Sequence, residues 1–150
     1  MQAQMLAPAA VLALWSMIML WWMAGTRFPA LAKADRSKAP KKDGVRGRDL
    51  EGWLPEKVMW KAHNYDHLME QPTVFYAAVI VLAIMGPEAL DVTLAWTYVA
   101  VRILHSFWQA LINKVNVRII LFSISSIALT ILAIRAVSAT LFFDPGLAPS

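Results

Sequence analysis

Two clusters of ionisable side chains fall where hydrocarbon-spanning helix is expected. Lys61-Ala62-His63-Asn64-Tyr65-Asp66-His67-Leu68-Met69-Glu70-Gln71-Pro72 opens one apolar segment. Arg102-Ile103-Leu104-His105-Ser106-Phe107-Trp108-Gln109 lies inside the next, with Lys114 and Arg118 just beyond. A charge in hydrocarbon costs at least about 2.5–3.5 kcal/mol, so it persists only with a partner, water or a task. His63, His67 and Glu70 stand at i, i+4, i+7 and share one helix face, and Arg102, His105 and Gln109 at i, i+3, i+7 share another. Imidazoles beside a carboxylate can move protons or hold a metal ion. Guanidinium and ammonium groups crowning the same end suit an anionic ligand with an apolar tail.

The elements that must position these residues follow from the composition. The chain has 150 residues, is 59% hydrophobic and has a mean hydropathy of +0.52, too apolar for an ordinary soluble domain. Four apolar runs stand out, and a spanning helix needs about 20 largely apolar residues. The expected fold is all-α and integral to a membrane, an antiparallel bundle of four transmembrane helices in a single domain over residues 1–150. The helices are expected at about 5–26, 64–86, 91–113 and 117–142, with a loop over 27–60. The first run resembles a signal peptide, but nothing in Met1 to Pro8 is basic and the run is too long, so it reads as a retained helix. Short links at Gly86-Pro87 and at Lys114 to Val117 force the last three helices to pack as antiparallel neighbours. Ser123, Ser125, Ser126, Ala128, Thr130 and Ala133 give the last helix small surfaces for close contact.

Charge sets the orientation. The 27–61 segment holds ten of the fourteen Lys and Arg residues, whereas Glu88, Asp91 and Asp144 mark the opposite side. The positive-inside rule puts the loop in the cytoplasm and both termini away from it, as in a bacterial inner membrane or the endoplasmic reticulum. The net charge of +4 then reflects topology and anionic lipid rather than nucleic-acid binding. Arg135, 17 residues past Arg118, is free to snorkel to the far interface. Within the loop, residues 33–52 read as flexible, and Leu50, Trp53, Leu54 and Val58 suit a short interfacial helix. No cysteine is present, so any thiol chemistry must use a thiol brought by a substrate.

Depth decides whether the clusters meet. Glu70 is nine residues in from Lys61, and His105 nine back from Lys114, so both lie roughly 13 Å from the same boundary. A Glu70–Arg102 ion pair is the expected way to neutralise both. Internal glue for a helix bundle is a competing reading of the same residues. A metal site at His63, His67 and Glu70, with His105 as partner, is another, opposed by the neighbouring cations.

In this order the residues resemble the family of membrane-associated proteins in eicosanoid and glutathione metabolism (MAPEG). The resemblance is carried by Lys61-Ala62-His63, Glu70 and Pro72, Gly86-Pro87, Ala95-Trp96, Arg102-x-x-His105 and Arg118, between Lys61 and about Arg135. It implies homotrimers of four-helix subunits, with glutathione as co-substrate bound between neighbouring subunits near the cytoplasmic face. It further implies that Arg118 activates the thiol, that Glu70 holds the amine, and that Arg102 and His105 line the pocket, with His63, His67 and Lys114 completing the binding set. A hydrophobic small molecule or lipid would enter from the bilayer. The activity so implied is a glutathione-dependent transferase or peroxidase acting on hydrophobic electrophiles or lipid peroxides. The sequence also departs from the family pattern. Its Asn-x-x-Glu motif reads His67-x-x-Glu70, while the ungapped register puts Tyr65 and Leu68 there, and Gln109 and Phe122 replace tyrosines. These departures favour the alternative, a non-catalytic member serving as a lipid-binding or scaffold subunit.

Overall fold

The structure is a computed structural model that describes residues 1–41 and 43–143. Its frame is five helices: α1 (Gln2–Lys33), α2 (Glu56–Glu70), α3 (Pro72–Met85), α4 (Ala89–Leu111) and α5 (Val115–Leu141). Helix α1 runs beyond the expected 5–26 in both directions, reaching Gln2 at one end and Lys33 at the other. Pro29 falls inside it, and the chain turns extended only at Ala34. One face of α1 is buried through Met5, Pro8, Leu12, Ser16 and Met19, a spacing of three and four residues that follows the helical repeat. The Ser16 hydroxyl is satisfied within the helix by donating to the Leu12 carbonyl at 3.0 Å.

The connecting loop is correspondingly shorter than 27–60 and carries local structure. Two 3-10 turns, Arg36–Lys38 and Gly47–Leu50, are capped by Asp35, which accepts from the Ser37 N–H, and by Asp49, which accepts from the Arg46 N–H. Leu50, Leu54 and Met59 are buried against Ala30, Leu31 and Ala34, and Trp53 Nε1 donates to the Asp35 carbonyl at 2.8 Å. The expected interfacial helix through Leu50 to Val58 is therefore a correction. The segment is a 3-10 turn followed by a reversal at Gly52, whose φ is +78°, and helix begins only after Pro55. Proline fits just before a first turn whose N–H groups have no intrahelical partner anyway.

Helices α2 and α3 form a single rod, since Gln71 between them keeps helical angles. Pro72 removes one N–H from the ladder there, and the Thr73 hydroxyl donates to the Glu70 carbonyl at 2.7 Å. Gly86, at φ +95°, ends α3 in the left-handed region that glycine enters without strain. Helix α1 lies against α2, α3 and α4, and α5 lies against α3 and α4. Their shared core contains Leu12, Val79, Val99 and Leu132, with the Phe75 and Tyr98 rings stacked at 4.4 Å.

Three segments are long and apolar enough to cross a membrane: 2–33, 56–85 and 115–141. Helix α4, with 23 residues, stands outside that set and buries Asp91, Arg102, His105, Ser106 and Gln109 in its packed face. The outer face of α5 exposes Ile119, Ile120, Ile127, Ile134 and Leu141, a surface suited to hydrocarbon.

At the end of α5 farthest from Lys114, Arg135 does not simply snorkel. Its guanidinium pairs with Asp91, which is buried, and with Glu88 at 2.7 Å, while Asp91 also accepts the Glu88 backbone N–H at 2.8 Å. This triad ties the start of α4 to α5.

Candidate functional site

Helices α2, α4 and α5 bring His67, His105 and Arg118 together. These three line a cleft of about 190 Å³ with Val115, Ile119 and Phe122. Each comes from the helix face that its packing dictates. His67 is flanked by the buried Asn64 and Leu68 of α2, His105 shares the buried stripe of α4 with Arg102 and Gln109, and Arg118 begins the second turn of α5. The His67 ring centroid lies 5.1 Å from that of His105 and 5.4 Å from that of Phe122.

Arg102 is fully buried behind this wall. Its Nη2 donates to the His67 carbonyl at 2.9 Å and its Nη1 lies 3.3 Å from His67 Nε2. A guanidinium only donates, so Nε2 is the acceptor; a carboxylate only accepts, so Nδ1 donates to Glu70 Oε2 at 3.1 Å. His67 is thereby fixed as the neutral Nδ1–H tautomer, bridging Glu70 to Arg102. The expected direct Glu70–Arg102 pair does not form. Glu70 lies on the outward side of α2, with its side chain 70% exposed, while Arg102 reaches the backbone carbonyl one turn earlier.

Two further expectations are corrected. His63 does not join His67 and Glu70: its Nε2 bonds Glu51 Oε1 at 2.9 Å, beside a separate polar cleft of about 300 Å³ that also involves Glu56, Trp60 and Asn113. The loop turned at Gly52 brings Glu51 up to α2, and that partner is invisible in helix spacing. Lys114 is exposed at the α4–α5 turn, and its backbone carbonyl accepts from Trp108 Nε1 at 3.2 Å. Among the described residues no three His, Asp or Glu side chains converge to hold a metal ion, so His63, His67 and Glu70 do not form a ligand set.

The Arg118 guanidinium is half-buried. Its Nη1 donates to Asn113 Oδ1 at 2.9 Å, and its Nε has no protein partner. A held guanidinium with unused donors at a cleft wall can bind an anion or stabilise a thiolate.

Several polar residues that sequence reasoning did not assign belong to the same interior. Asn64 is buried, and its Nδ2 donates to the buried Ser106 Oγ at 2.7 Å; Asn64 Oδ1 and Gln109 Oε1 are buried without partners. Deeper along the rod, Gln71 Nε2 donates to Ser126 Oγ at 2.8 Å at the mouth of an apolar groove of about 510 Å³, which is lined by Val74, Leu129, Ala133 and Ile134. The signal for Asn64 was its place four residues before Leu68, a polar side chain on the buried stripe of α2.

The family model described as the MAPEG family matches residues 5–138, which includes every residue of the cleft. The chain belongs to the MAPEG family. No curated protein and no solved structure matches it. Membership places this membrane-type helical chain in a family associated with glutathione and eicosanoid metabolism. Arg102 is buried behind the cleft, and His105 and Arg118 line it. The motif departures are structural as well: Leu68 is core and Phe122 lines the cleft without a hydroxyl.

Proposed function

We propose that the protein is a membrane-bound, glutathione-dependent transferase or peroxidase that acts on hydrophobic electrophiles or lipid peroxides. The carrying observation is the Arg118 guanidinium, tethered through Nη1 to Asn113 and with Nε buried, at the wall of a cleft shared with His67 and His105. A fixed positive charge beside sulfur favours the thiolate, the nucleophilic form. In this reading Arg118 stabilises the glutathione thiolate, the thiol proton passes to solvent, and His105 and His67 form the cleft wall. Arg102 acts as a positioning residue through His67, and Glu70 serves on the rim rather than inside the cleft. The thiolate attacks an electrophilic carbon, a C–S bond forms, and the leaving group departs with the bonding pair. With a hydroperoxide the O–O bond breaks instead to release an alcohol, and a second glutathione completes a disulfide and water.

The reading includes α4 as a fourth span, the loop on the cytoplasmic side with both termini opposite, and a homotrimer whose neighbouring subunit completes a cleft too open to enclose a tripeptide alone. The groove beside Gln71 and Ser126 supports entry of an apolar acceptor from the bilayer. The test is ultraviolet absorbance of the purified protein at saturating glutathione. A thiolate band that disappears in Arg118→Ala is the expected result, and its absence from the wild type sinks the catalytic reading.

One observation favours a second reading. Glu70 faces away from the cleft and Phe122 offers no hydroxyl, so two ligand contacts implied by the family are missing from the cleft wall. A non-catalytic lipid-binding or scaffold subunit would then show no thermal stabilisation by glutathione and would co-purify with a stoichiometric partner.

A further inference from the structure

We propose that Asn113, in the α4–α5 turn, is a positioning residue that aims the Arg118 guanidinium; the inference rests on the glutathione reading of the same cleft. Asn113 has φ +58°, the one positive φ on a described residue other than glycine. Asparagine tolerates this left-handed region better than most side chains, yet glycine occupies it without strain. The turn itself does not need the side chain. The Asn113 N–H donates to the Trp108 carbonyl at 2.8 Å, and Trp108 Nε1 donates to the Lys114 carbonyl at 3.2 Å. These contacts fix the backbone whichever residue stands at 113.

What the amide adds is Oδ1, placed 2.9 Å from Arg118 Nη1. An arginine side chain has four rotatable bonds and no described carboxylate pairs with Arg118, so Asn113 Oδ1 is the one described polar anchor of its head. The tether is neutral, and this is what the chemistry requires. A carboxylate there would hold the guanidinium as firmly, but its charge would cancel the field that the thiolate needs. Asn113 therefore fixes direction without spending charge. The residue that makes the left-handed turn is thus also the one that supplies the acceptor for Arg118.

The experiment uses the full-length protein and titrates the thiolate absorbance of bound glutathione against pH in wild type, Asn113→Gly, Arg118→Ala and the double variant. Asn113→Gly is expected to keep the wild-type melting temperature while raising the thiolate midpoint by about 0.5–1 pH unit, the equivalent of a weakened charged hydrogen bond. In the Arg118→Ala background, titrated on to the higher pH at which the thiol ionises without the guanidinium, the same change is expected to do nothing, because the amide acts only through the guanidinium. An unchanged midpoint in Asn113→Gly overturns this inference and leaves the glutathione reading standing, as does an equal shift in both backgrounds. No thiolate in the wild type, or a thiolate indifferent to Arg118→Ala, overturns both.

Discussion

Arg102 is the residue on which the interior turns. It is fully buried, bonds the His67 carbonyl and ring, and leaves only Nε without a partner. Truncating it to alanine leaves two His67 acceptors unsatisfied and opens a cavity. Arg102→Ala is therefore expected to cost about 2–4 kcal/mol, read as a lowered unfolding midpoint in detergent. Arg118→Ala, at a half-buried wall position with a single protein hydrogen bond, is expected to lose less than about 1.5 kcal/mol while losing the thiolate. A stability loss in Arg118→Ala as large as that of Arg102→Ala would contradict this division of labour. Depth counting along helices of fixed rise set Glu70 level with His105, but it is His67, three residues earlier on α2, that meets His105 and Arg118. The handling of Arg102 was not legible in the sequence. Its partner is a backbone carbonyl, and every residue carries one, so no residue type announces it. The outward turn of Glu70 was hidden for a related reason. Spacing puts His63, His67 and Glu70 on one face, but the buried Met59, Ala62, Asn64 and Leu68 decide which side of that face meets the core.

Helix ends are set by local stops, and the sequence signals them unevenly. Gly86-Pro87 ended α3 as expected, since a left-handed glycine followed by proline cannot continue a helix. The end of α1 was harder to read, because Arg27 and Pro29 mimic a stop while the backbone continues to Lys33. The α4–α5 pair carries the Arg135 triad at one end and the cleft at the other. Asp91 is 2% exposed in its side chain and serves both as a capping acceptor and as the partner of Arg135, whereas the Glu88 side chain is 73% exposed. Asp91→Ala is therefore expected to cost about 1–2 kcal/mol, since it removes a cap and the buried partner of Arg135, which keeps Glu88. Glu88→Gln should cost less than about 1 kcal/mol, as exposed pairs do. Chemical denaturation of the two variants separates them, and equal losses would mean that burial of Asp91 does not matter.

The molecule exposes many large apolar side chains while burying Asn64, Asp91, Arg102, His105 and Gln109; the excess of apolar residues, though not its distribution, was visible in composition. What one chain cannot display is a closed ligand site, because the cleft opens outward. A glutathione series read by melting temperature is expected to rise with concentration, approaching about 2.7 kcal/mol of stabilisation at a hundredfold excess over Kd. A flat series favours the scaffold reading. The assembly should behave in detergent as three times the 16.7 kDa of one chain, and a monomeric mass would remove the neighbour needed to complete the cleft.

The Arg135 triad pins α5 to α4 at the end remote from the cleft. Seventeen residues, roughly 25 Å of helix, separate that anchor from Arg118. The pin and the cleft thus stand at opposite ends of one packed helix, so a substitution that loosens the pin is remote from the guanidinium in distance but not in the element that carries both.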